Sequence, residues 1–149
     1  MSSSTFIYSV VARSKVVLAE YSDPNTFKGN FIVVSRLILE KLDSSTDVKK
    51  VYTYDQYMVH IVVSSGIIYM CITESLQSGS IMRVMNFLEE IQKRFTQTYD
   101  NRKITNAAAY EMNDEFARVL QSQMVTYIFF NIYWYGASLS SISRANYFK

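Results

Sequence analysis

A chain of 149 residues, 49% of them hydrophobic, has enough apolar material for one domain with a proper core, which excludes disorder for most of its length. Its 15 Lys and Arg against 13 Asp and Glu leave a formal charge of +2, too little for a nucleic-acid binder without a clustered basic face. The one cysteine cannot form an internal disulfide, and Asn-X-Ser/Thr acceptor sites, a basic leader and lipidation signals are missing, so the cytosol is the default expectation.

Phe6–Arg13 and Lys15–Tyr21 are strand-length apolar runs joined by a tight polar turn, which predicts a β-hairpin at the start of the chain. Ser22-Asp23-Pro24-Asn25-Thr26, with the only proline, reads as a loop. Gly29-Asn30 then supplies a capping signal for a helix over Phe31–Leu42, in which Phe31, Val34, Ile38 and Leu42 share one face. After the polar cluster Asp43–Asp47 come three strand signals, Val48–Tyr54, Tyr57–Ser64 and Ile67–Thr73. Their links, Asp55-Gln56 and Ser65-Gly66, are short enough to require antiparallel hairpins. The last two strands are apolar almost throughout, so both faces of the sheet need cover. Ile81, Val84, Met85, Leu88, Ile91, Phe95 and Tyr99 form the strongest helical stripe. After Asp100–Asn106, Asn113 is placed to cap a further helix carrying Phe116, Val119, Leu120, Gln123, Met124 and Tyr127 at the same spacing.

Few residues invite chemistry. Ser78-Gly79-Ser80 has the outline of a nucleophile turn, but Ser80 directly precedes the Ile81 stripe and reads as a helix start. His60 stands between Val59 and Ile61 with no ligand partners at metal spacing, as a hydrogen-bonded sheet histidine does. Cys71, between Met70 and Ile72, reads as a small buried hydrophobe. Glu89 and Glu90, adjacent on a helix, point about 100° apart and cannot act as a pair. The four glycines stand too far apart to cradle a phosphate. No catalytic, metal or cofactor-binding residue is expected, and an enzyme is the least favoured class.

Several segments in fixed order carry a family likeness: the opening hairpin, Gly29-Asn30-Phe31 at a helix start, Ile68–Thr73 as a strand, Asn86–Phe95 with Thr98-Tyr99, and Tyr110–Phe116. Together they resemble the longin domain, the N-terminal regulatory module of longin-type vesicle-associated membrane proteins (v-SNAREs, synaptobrevin-like), over about Phe6 to Met124. The resemblance implies an α+β, profilin-like longin fold. Its five-stranded antiparallel sheet carries one helix on one face and two on the other, the order ββαβββαα that the pattern gives independently.

A functional hint lies in the first helix. Its apolar arc, from Leu37 on one flank round to Ile32 and Leu39 on the other, spans roughly 220°, more than one sheet contact buries. Surplus apolar surface marks a partner groove, unless strand edges and loops cover both flanks. In the family, the groove beside this helix and the third strand receives the protein's own SNARE segment or a trafficking adaptor. By that resemblance the groove residues are Ser35, Ile38, Leu39 and Leu42 on the helix and Tyr52 and Tyr54, with Thr53, on the strand. The expected place of action is the cytoplasmic face of vesicle or endosomal membranes, the chain alone being soluble.

Beyond Met124 the resemblance stops, which divides the chain into a longin domain over 1–124 and a divergent aromatic tail over 125–149. The tail has neither the heptad pattern of a SNARE motif nor a membrane anchor. Its apolar core, Tyr127–Tyr135, is shorter than the roughly 20 residues a membrane span needs. Several readings stay open for it: an interfacial anchor making the chain a peripheral membrane protein, a segment folded back on the domain or exchanged in a homodimer, a true span, or a sequence not under selection.

Overall fold

The computed structural model describes residues 6–24, 30–74 and 80–140, the side chains of the last stretch only as far as Tyr127. The elements are β1 (Phe6–Arg13), β2 (Val16–Ser22), α1 (Phe31–Lys41), β3 (Val48–Tyr54), β4 (Tyr57–Ser64), β5 (Ile67–Glu74), α2 (Ser80–Thr98), α3 (Asn101–Asn106) and α4 (Asn113–Ser140). All neighbouring strands are antiparallel, in the order β2-β1-β5-β4-β3. The turns behave as the polar links require. Ser14 and Asp55 take positive φ, and Ser65-Gly66 takes it at both positions (53° and 81°), the signature of a two-residue hairpin turn that suits glycine second.

Two apolar layers enclose the sheet. On one face Phe31 and Leu39 of α1 pack on Ile7, Val10, Val59, Ile61, Ile68 and Met70. On the other, α2 and α4 contribute Val84, Phe87, Leu88, Ile91, Phe95, Phe116, Leu120 and Met124 over Val11, Leu18, Val62, Tyr69 and Cys71. β4 and β5 are covered on both sides, which is why they read as unbroken apolar runs. Phe95 is a hub, its ring 5.0 Å from Tyr99, 5.1 Å from Phe116 and 6.1 Å from Tyr69.

Three local expectations need correction. Asn30 holds the N-cap position of α1, yet its side chain makes no capping hydrogen bond. Asn113 opens α4 as its first residue, but its Oδ1 accepts the Glu20 N–H at 2.9 Å, so it serves the β2 edge rather than its own helix. The 100–106 connection contains a short helix, capped by Asp100, whose carboxylate accepts the Lys103 N–H at 2.9 Å.

Gly29 and Ser78-Gly79 lie outside the described residues. α4 continues as one helix through Met124 and Val125 to Ser140. The side chains of Ile128–Tyr135, and with them the packing expected of the aromatic tail, also lie outside the described residues. Among the described residues no helix is long and apolar enough to cross a membrane.

Candidate partner-binding groove

The orientation of α1 is set by a polar cluster on its β2 side. Arg36 Nη2 lies 3.1 Å from Glu20 on β2, and Nη1 donates to Tyr8 Oη of β1 at 3.2 Å. The hydroxyls of Tyr8 and Tyr110 also donate to the Glu20 carboxylate, the latter at 2.8 Å. Burial alone would raise the Glu20 pKa, but hydrogen bonds from Arg36, Tyr8 and Tyr110 outweigh it and hold the carboxylate below its ordinary value. Burial, then the Glu20 contact, pushes the Tyr8 hydroxyl well up. Ser35 is fully buried, its Oγ 2.8 Å from the Ile32 carbonyl and 3.2 Å from Tyr8 Oη, so its hydroxyl is satisfied in the middle of the helix's inner stripe.

That stripe is Phe31, Ser35 and Leu39. The expected inner face of Phe31, Val34, Ile38 and Leu42 is therefore turned by about 60° on the helical wheel. Leu39, expected on a groove flank, is a core residue only 2% exposed, and Ser35 lies beneath the helix; neither forms an open wall. Ile38 and Leu42 are half-buried against the same core cluster. With Arg36 committed to β2, the opposite flank of α1, Val34, Ile38 and Leu37 by helical spacing, looks toward β3. Leu37 is 53% exposed, and Val33 is exposed beside it.

The facing wall comes from register. Tyr52 pairs with Val59 and Tyr54 with Tyr57, whose side chains belong to the α1-side core, so both tyrosines stand on the α1 face of the sheet. They are 42% and 47% exposed. Tyr57 fills the floor near the start of α1, edge-on to Phe31 with ring centres 4.9 Å apart. Ile38 and Leu42 of α1 and Tyr52 and Tyr54 of β3 thus share the α1 face of the sheet, whereas Ser35 and Leu39 are buried beneath the helix. Val34 and Leu37, outside the six residues that the resemblance implies, lie by helical spacing on the same flank of α1 as Ile38. Their signal was available: Arg36, the one charge within the apolar run, marks which flank turns away.

The other candidates settle as structural. His60 is fully buried, with Nε2 2.9 Å from Thr73 Oγ1, and burial lowers its pKa to about 4. Cys71 is buried, and desolvation raises its thiol well above the ordinary range, which leaves no reactive thiolate. Among the described residues no group of His, Cys, Asp and Glu has metal-binding geometry.

Comparison with known proteins matches residues 18–120 to the family model of the longin, or regulated-SNARE-like, domain. The chain is 38% identical over 123 residues to vesicle-associated membrane protein 712 of Arabidopsis thaliana, covering 83% of this chain and 53% of that protein. To vesicle-associated membrane protein 714 of the same plant it is 41% identical over 119 residues, covering 79% and 51%. With vesicle-associated membrane protein 7 of Homo sapiens it shares 39% over 118 residues, covering 79% and 50%. The chain spans about half the length of these curated relatives, which are vesicle-associated membrane proteins and not enzymes. On the sheet order, the three flanking helices and these matches, this chain belongs to the longin domain family.

Proposed function

We propose that this chain is a regulatory protein-interaction module of vesicle trafficking whose α1/β3 groove receives one amphipathic segment, from a SNARE helix or a sorting adaptor, at the cytoplasmic face of a vesicle or endosomal membrane. One observation carries the reading: Leu37 on α1 and Tyr52 and Tyr54 on β3 are all exposed, with half-buried Ile38 and Leu42 on the same face of the sheet. Isolated exposed apolar residues need no explanation, but a channel with apolar walls and hydroxyls at its rim suits a helix with one apolar stripe. Lys50, on the same sheet face as the tyrosines, and Lys41, at the end of α1, favour acidic residues beside that stripe.

The test is the double variant Leu37→Ser with Tyr54→Ser, both at exposed positions, so the fold is retained. Fluorescence anisotropy with a labelled heptad-patterned SNARE peptide should show binding to the unmodified chain and at least a tenfold loss in the variant, at an unchanged melting temperature. Equal binding by both places the recognition surface elsewhere.

A further inference from the structure

The two edges of the sheet are finished differently. Along β2, Tyr110 N–H donates to the Val17 carbonyl at 2.7 Å and Met112 N–H to that of Leu18 at 3.2 Å, while Asn113 Oδ1 takes the Glu20 N–H. The chain covers this edge itself. Along β3, among the described residues, no loop or helix backbone bonds to the strand, and every residue after Val48 is exposed. Of the devices that usually blunt an edge, β3 carries only its two lysines: it has seven residues, no proline, and a register with β4 that runs without a bulge from Val48↔Val63 to Tyr54↔Tyr57.

We propose that the β3 edge is a self-association surface, on which β3 of a second copy of this chain pairs antiparallel about a two-fold axis through Val51, joining the two five-stranded sheets edge to edge. The occupant is read from the strand's own order, Val48-Lys49-Lys50-Val51-Tyr52-Thr53-Tyr54. A two-fold axis normal to the sheet keeps every side chain on its own face, so residues of the same parity meet across it. With the axis at Val51, Val48 faces Tyr54 of the second copy, Lys49 faces Thr53 and Lys50 faces Tyr52, and all seven residues are paired. On the α1 face this sets each Lys50 ammonium against a tyrosine ring and each Val48 against another. On the opposite face Val51 meets Val51, and Lys49 keeps its 2.7 Å bridge to Glu89 of α2.

Other registers are worse. An axis at Lys50 opposes lysine to lysine, and one at Tyr52 leaves Val48 and Lys49 without partners in the strand. Edge lysines ordinarily resist pairing. Here the strand's symmetry takes lysine out of direct opposition to lysine, leaving the two Lys50 side chains on a diagonal, and a net charge of +2 adds little repulsion between copies. A single seven-residue pairing is at the small end of interfaces, so the dimer is transient and concentration-dependent.

The test is sedimentation velocity on the full chain up to about 1 mM, the range of weak association. Val51 is 36% exposed, so charge is tolerated there without unfolding. The unmodified chain should dimerise, Val51→Lys and Val51→Glu should each be monomeric with unchanged melting temperature, and their equimolar mixture should dimerise again. A second measurement does not rest on those variants: Val51→Cys should cross-link to a dimer on mild oxidation and Thr53→Cys should not, the native Cys71 being buried. A monomeric unmodified chain, a dimer that persists in both charge variants, or cross-linking at Thr53 as readily as at Val51 would overturn the proposal.

Discussion

His60 sits in β4 directly opposite Cys71 of β5, with only the Thr73 hydroxyl to bond it and a pKa lowered by burial to about 4. Since the native ring is neutral while the unfolded ring titrates near its ordinary 6.5, the unfolded state takes up the proton first as pH falls. Stability should therefore decline between pH 6.5 and 4 by up to roughly 3 kcal/mol and change no further from this residue below that. His60→Gln should flatten that window in urea titrations at stepped pH; an unchanged slope would assign it to other groups. Glu20, held below its ordinary value, begins to lose its contribution only as pH falls through the ordinary carboxylate range, at the lower end of the His60 window. The role of His60 was legible because its neighbours Val59 and Ile61 offer no polar company. The Tyr8–Glu20–Arg36–Tyr110 cluster was not, since its members come from β1, β2, α1 and the α3–α4 connection and meet only in the folded chain. Arg36→Ala, which leaves a half-buried carboxylate without its cation, should cost about 2 kcal/mol by denaturant unfolding. A loss under 0.5 kcal/mol would make the cluster incidental to stability.

At the level of elements, strands were legible nearly to the residue because each abuts a two-residue polar turn and all but β3 are largely apolar runs. α2 was legible from its stripe, although Phe87, fully buried between Phe6 and Tyr127, lies beside that stripe and went unread. α3 was missed because six residues are too short to establish a helical period. α1 was placed correctly and rotated wrongly: apolar counting cannot foresee a serine on the inner stripe, where Ser35 bonds the Ile32 carbonyl and the Tyr8 hydroxyl. These placements give opposite expectations for similar residues. Leu88→Ala and Phe95→Ala should each destabilise by roughly 2–5 kcal/mol, as deletions in a packed core do. Leu37→Ser, on the exposed flank, should stay within about 0.5 kcal/mol. Calorimetry that ranked these the other way would invert the assignment of inner and outer faces.

For the whole molecule, the order of elements and the need for cover on both faces followed from pattern, whereas the strand order did not. Local hairpins leave open where the first one joins the rest, and β1 joins it centrally, between β2 and β5. The point where family resemblance stops is likewise not where packing stops. Met124 is buried with Ser9 Oγ 3.3 Å from its sulfur, and Tyr127 stacks edge-on to Phe87 at 5.5 Å, so α4 works for the core past the last residue of the family match. We expect the folding unit to extend through Tyr127. A chain ending after Tyr127 should keep its stability to within about 1 kcal/mol, because what is removed lies beyond the last described core contact. Ending after Leu120 strips Gln123, Met124 and Tyr127 from the α2–α4 layer and uncovers Phe87 and Ser9, which should cost on the order of 3 kcal/mol or more. The comparison is made by urea unfolding of the two truncations beside the full chain. Equal stability of both would mean that the last turns of α4 add nothing to the domain, and a large loss after Tyr127 would show that the aromatic segment is itself part of the core.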